Sequence, residues 1–127
     1  MTQTHDPGEL CRASCHCGAV VIEAYLPQGF ASAKRCNCSF CRRRGAAAVT
    51  AKTASVRILQ GSENLSRYTW GTHTAQHNFC KTCGIYTHHQ RRSDPAETGI
   101  NLGCIEGVLP NMLEPIPTTD GKNWPLD

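Results

Sequence analysis

Apolar residues recur along this chain in short runs that alternate with polar or small residues, and no stretch sustains a helical period. Residues 19–26, Ala-Val-Val-Ile-Glu-Ala-Tyr-Leu, are rich in β-branched side chains and predict a strand. Pro27, Gln28 and Gly29 end it. Further strands are expected over 56–60, 65–70 and 75–80, with turns at 61–64 and 71–72 between them. Residues 85–90 alternate as a strand does, and Ser93-Asp94-Pro95 breaks the pattern. Residues 100–105 alternate apolar and small side chains and predict one more strand, while 46–51 suit a helix or a strand equally. Regularly spaced short strands predict a mainly-β domain. Residues 1–10 read as a loose leader. Pro110, Pro115, Pro117 and Pro125 make 109–127 an extended tail, packed on the domain or trailing from it.

Composition changes this picture at one point. A chain of 127 residues with 39% apolar content forms a single domain with a modest core, the kind that metals or disulfides often reinforce. Nine cysteines offer either. The first ten residues carry Asp6, Pro7 and Glu9 and lack the apolar run of a secretory signal, and no segment has the length of a membrane span. With an odd cysteine count, these features favour reduced, metal-binding thiols in the cytoplasm over a secreted disulfide framework.

Seven of the cysteines form three clusters: Cys15 and Cys17; Cys36, Cys38 and Cys41; Cys80 and Cys83. Closed zinc sites take four ligands, and working sites usually take three with one position open. Cys15-x-Cys17-Gly18 and Cys80-x-x-Cys83-Gly84 each supply two thiols beside a turn glycine, and together they predict one Cys₄ structural zinc. Taken singly, each pair could instead be a redox couple or free thiols. Iron–sulfur is disfavoured because ferredoxin spacings are absent.

Cys36, Cys38 and Cys41 can wrap one face of a second ion. The fourth side is then left to water, to a substrate thiol, or to a closing ligand from among His73, His77, His88, His89, Cys11 and Cys104. Three thiolates weaken an ion's pull on water, so an open site of this kind suits thiol activation better than hydrolysis. Lys34, Arg35, Arg42, Arg43 and Arg44 surround the cluster, as charge compensation, as clamps for substrate carboxylates or as phosphate contacts. The formal charge of +3 gives no support to nucleic acid, because seven thiolates holding two Zn²⁺ bring it to about zero. Cys104 is expected to be a buried apolar residue, and Cys11 an exposed free thiol.

The stretches Ser14-Cys15-His16-Cys17-Gly18-Ala19-Val20, Cys36-Asn37-Cys38-Ser39-Phe40-Cys41-Arg42-Arg43 and Asn78-Phe79-Cys80-Lys81-Thr82-Cys83-Gly84 resemble the glutathione-dependent formaldehyde-activating enzyme family, which includes the centromere protein V group. Residues 99–107 resemble it as well, so the likeness covers about 11–108. It implies an Mss4-like β-tent. It also implies two zinc ions per chain, a structural one on Cys15, Cys17, Cys80 and Cys83 and an active-site one on Cys36, Cys38 and Cys41. The implied activity is that of a carbon–sulfur lyase making or cleaving S-hydroxymethylglutathione, with glutathione or a related thiol and a small aldehyde as partners. Lys34, Arg42 or Arg43 would then bind the tripeptide's carboxylates, and His73 or His77 could relay a proton. The competing readings are a zinc-stabilised binding module for nucleic acid or protein, and a glutathione carrier without turnover. Self-association is left open.

Overall fold

The structure, a computed structural model, describes residues 9–121. Three antiparallel strands, β1 (Glu9–Ser14), β2 (Val21–Leu26) and β5 (Arg57–Gln60), form one sheet in the order β1-β2-β5. A second sheet runs β4-β9-β8-β7-β6, from β4 (Ala48–Lys52), β6 (Leu65–Tyr68), β7 (Gln76–Cys80), β8 (Tyr86–Gln90) and β9 (Glu97–Asn101). A short parallel pair joins β3 (Arg35–Cys36) to β10 (Thr118–Thr119). Among the described residues, helix is confined to the single turn α1 (Cys41–Arg44) and a few 3-10 turns. The mainly-β expectation holds, and the sheets remain open.

Alternation explains the core. Along β2, Ile22, Ala24 and Leu26 are buried while the residues between them are partly exposed, and Cys11 and Ala13 of β1 turn to the same side. They meet Val49 and Ala51 of β4 and Ile100 of β9, where β2 packs on β4. Val20, Ile22, Leu26, Val49, Ile100 and Leu102 are essentially inaccessible to solvent. The ambiguous segment 46–51 becomes strand β4 because Val49 and Ala51 pair with Ile100 and Thr98 and bury their side chains in the core.

Three expectations change. The leader gives way at Glu9, where β1 begins, since pairing with β2 from Glu9 to Ser14 holds it. Residues 1–8 and 122–127, Pro125 among them, lie outside the described residues. The strand expected over 100–105 instead covers Glu97–Asn101. There Asn101 accepts a hydrogen bond from the Gly103 amide and turns the chain into a 3-10 segment at Leu102–Cys104. Cys41 to Arg44 form a helical turn that ends at Gly45 in the left-handed region. Cys11 is no exposed thiol. It is 5% accessible, packs in the core, and burial pushes its pKa up to about 11. Cys104 is buried as expected and directs its thiol at the Tyr86 carbonyl.

Candidate metal centre and active site

Both two-cysteine clusters are hairpin turns. Cys15 and Cys17 lie in the turn from β1 to β2, closed by the Cys15 amide on the Val20 carbonyl at 3.1 Å. Cys80 ends β7, and Cys83 sits in the turn to β8, closed by the Gly84 amide on the Cys80 carbonyl at 2.9 Å. Gly18 and Gly84 have φ of +83° and +77°, the left-handed backbone these turns require. The two hairpins belong to different sheets, and their four sulfurs lie within 4.8 Å of one another. Cys15 and Cys17 sulfurs, and those of Cys17 and Cys80, are 3.7 Å apart. Four sulfurs at the usual zinc–sulfur distance from a tetrahedral ion stand about 3.8 Å apart, so this set fits zinc.

The surroundings suit thiolates. Amides of Val20, Thr82 and Cys83 point at Cys15 or Cys80 sulfur at 3.3–3.5 Å, and Asn64 donates to Cys80 as well. Backbone donors at Cys17 and Ile85 hold the Cys83 thiol down to about 6. Cys80 is likewise lowered, chiefly by the Cys83 amide.

Cys36, Cys38 and Cys41 form the second group, also within 4.8 Å of one another, and among the described residues no histidine or further cysteine joins them. Cys36 comes from β3, Cys38 from the following bend and Cys41 from the first position of α1. Amides of Cys38 and Cys41 donate to the Cys36 and Cys38 sulfurs at 3.5 and 3.2 Å. Arg44 donates to Cys41 sulfur at 3.4 Å. Burial drives the Cys41 thiol up and the Arg44 charge opposes it. The three sulfurs line a cavity of about 410 Å³.

Glutathione-dependent formaldehyde-activating enzyme is the description of the family whose model matches residues 10–119. The chain belongs to this family. A crystal structure of a Rhodobacter sphaeroides protein, a structural-genomics target, is 58% identical, with 85% of this chain and 99% of that one covered and a TM-score of 0.83. Family membership agrees with the mainly-β fold and with two cysteine groups able to hold metal.

Within this family member the expected site residues separate. Lys34 lines the cavity beside the three cysteines, whereas Arg42 and Arg43 do not, and Arg43 donates to the Ser39 carbonyl. Arg35, Arg44, Arg91 and Arg92 line it instead, so five basic side chains face two acids, Glu97 and Asp120. The buried Nε atoms of Arg44 and Arg91 have no hydrogen-bond partner among the described residues.

His73 lies outside the lining, exposed and held by Thr69 at 2.9 Å. His77 is 6% accessible and lines the cavity. Its Nδ1 is 3.1 Å from an Arg44 nitrogen, and arginine can only donate, so Nδ1 accepts and Nε2 carries the proton. Burial, then the Arg44 charge, lowers His77 to about 4, so it is neutral at pH 7. His89 stacks on it at 5.2 Å and meets the Tyr86 hydroxyl at 2.6 Å, and burial holds His89 far below its ordinary value.

The role of Gly121 is invisible in the sequence. Thr118–Thr119 pairs with Arg35–Cys36, the Asn37 amide bonds the Thr119 carbonyl, and Arg35 meets Glu114 at 2.8 Å. This lays the tail over the cysteines. A Cβ on Gly121 would stand 2.3 Å from Cys36 sulfur. Arg91 and Arg92 did carry a signal, a basic pair directly after a predicted strand, but only the hairpin's return brings them beside residue 36.

Proposed function

We propose that this protein is a zinc-dependent carbon–sulfur lyase that forms or cleaves a glutathione–aldehyde adduct such as S-hydroxymethylglutathione. In this reading Cys15, Cys17, Cys80 and Cys83 hold a structural zinc, and Cys36, Cys38 and Cys41 hold the zinc at the active site. One observation carries it: the three-cysteine group lacks a fourth His or Cys ligand among the described residues and lines a cavity, whereas the four-cysteine group is complete. A closed middle site would instead have favoured the binding module. When bound there, zinc supplies Lewis acidity that favours the thiolate form of a substrate thiol.

The chain's own residues supply the rest. Lys34, Arg35, Arg44, Arg91 and Arg92 give the cavity an excess of positive charge, suited to the two carboxylates of glutathione. The unpartnered Nε–H groups of Arg44 and Arg91 are buried donors whose cost a carboxylate would relieve. In the synthetic direction the glutathione sulfur forms a bond to the aldehyde carbon, the carbonyl π-electrons pass to oxygen, and that oxygen takes a proton. Cleavage reverses each step. The proton that the oxygen takes is the one the thiol gives up, and in this reading the neutral His77 donates a hydrogen bond from Nε2–H to that oxygen as its charge develops. Phe40 and Trp70 give part of the lining an apolar surface. The reading places the protein in the reducing cytoplasm, where clustered thiols hold metal rather than pair.

Cys38→Ser tests this. It should remove one of two zinc equivalents and abolish formation of S-hydroxymethylglutathione while the fold persists. Full turnover with that zinc missing would sink the proposal.

A further inference from the structure

The five-stranded sheet has a second cavity on the face opposite the three-cysteine cavity. His77 and His89 line the thiol cavity, whereas their strand neighbours Gln76, Asn78, His88 and Gln90 line the other, of about 460 Å³. Two cross-strand rows build its floor: Arg67, Asn78 and His88 in one, Gln76, Gln90 and Thr98 in the next. The same rows continue into the core, His88 to Ile100 and Val49, and Thr98 to Ala51. A sheet face that is apolar at β4 and β9 thus turns polar beneath Val56, Ile58 and Leu65. His88 and Thr98 are only 8% and 3% accessible, so this is not an ordinary solvated face. His88 and Thr98 are paired with Thr87 and Thr53, so the partners left for a ligand are the side-chain amides and hydroxyls of Gln76, Gln90, Ser62 and Ser66, set around a cavity of ligand size.

The lining names the chemistry. Arg67 is the one permanent charge, and it forms no ion pair among the described residues. No Asp or Glu lines the cavity, so an ammonium group, and with it an amino acid or polyamine, finds no partner. Amide donors from Gln76 and Gln90 and the hydroxyls of Ser62 and Ser66 can share the oxygens of an anion. A single guanidinium matches one carboxylate better than a phosphate dianion, and Val56, Ile58 and Leu65 offer an apolar edge. We infer that this cavity binds a small monocarboxylate with a short apolar body, seated on Arg67 and separate from the thiol site. The inference does not depend on the lyase reading.

Butyrate is a suitable probe, with butyramide as its neutral isostere and inorganic phosphate as the competing anion. Each is titrated into the ¹⁵N-labelled, zinc-loaded full chain and followed by amide chemical shifts. Butyrate should give saturable shifts centred on Ser66, Gln76 and Gln90, and butyramide none. Arg67→Gln should weaken butyrate about tenfold or more, the loss of one charge-assisted contact. Arg67 is exposed, so the variant should keep its spectrum, and adduct turnover should be unchanged. Equal response to butyramide, stronger binding of phosphate, an Arg67→Gln variant that binds butyrate as wild type does, or shifts confined to residues 36–44 would each overturn it.

Discussion

Arg44 lies over the Tyr86 ring, 3.8 Å from guanidinium carbon to ring centroid, and donates to the Cys41 sulfur at 3.4 Å. The same guanidinium reaches His77 Nδ1 and lies over the Phe40 ring. One side chain thus joins a cysteine of the open group to the buried histidine beside it. A planar, permanently charged donor fork can do this, and a lysine cannot.

Arg44→Lys should therefore behave almost as poorly as Arg44→Met. Loss of charge-assisted hydrogen bonds worth about 1.5–3 kcal/mol predicts a fall of about tenfold to a hundredfold in kcat/KM for adduct formation. Zinc content and steady-state kinetics on both variants check this, and a lysine variant with wild-type kinetics would count against the geometry.

The four-cysteine group joins two hairpins from different sheets, so its loss should act on stability first. Cys80→Ser, or a strong chelator, should lower Tm by about 10 °C or more, because binding energy at such a site is folding energy. Calorimetry at matched zinc concentrations measures it. Cys38→Ser should leave Tm much closer to wild type, since its group opens into a cavity and joins no sheets.

Gly121→Ala introduces a Cβ where the Cys36 sulfur already stands. Overpacking of this kind costs about 1–3 kcal/mol, and the tail, held by two residues of β10, is the part that yields. Adduct turnover should fall while unfolding of the main sheets shifts little. Hydrogen exchange at Asn37, whose amide bonds Thr119, would report the displaced tail. Protected exchange with unchanged turnover would show that the wall tolerates a methyl group.

His88 makes stability pH-dependent. Burial, and then the Arg67 charge, lowers it from 6.5 to about 4, so below pH 6.5 the unfolded chain binds the proton more readily than the folded one. Stability therefore falls as pH drops from 6.5 towards 4. By pH 5 this one group removes at most about 2 kcal/mol. Urea midpoints at pH 7 and pH 5 should differ less for His88→Gln than for wild type. Acid release of zinc affects both proteins and cancels in the comparison. An identical pH difference would remove His88 as a source.

Much of this was legible in the chain. The period-two runs predict the strands, because alternate side chains must enter the core. Cysteine spacing divides the thiols into two pairs and a triple, because a turn of two to four residues brings its ends to one ion. These are local relations that neighbouring residues carry by themselves. Strand β1 escaped because Glu9 and Leu10 are exposed and only pairing with β2 makes them a strand. Arg42, Arg43 and Arg44 look alike in sequence, yet one turn of α1 sends only Arg44 into the cavity. His73 and His77 are likewise equal on paper, and only burial on β7 separates them. What the tertiary structure alone decided is which distant residues share a space: Arg91 and Arg92 beside Cys36, Gly121 over its sulfur, and a polar cavity behind the same sheet. Such contacts join segments tens of residues apart through packing of the two sheets, and no local pattern records them.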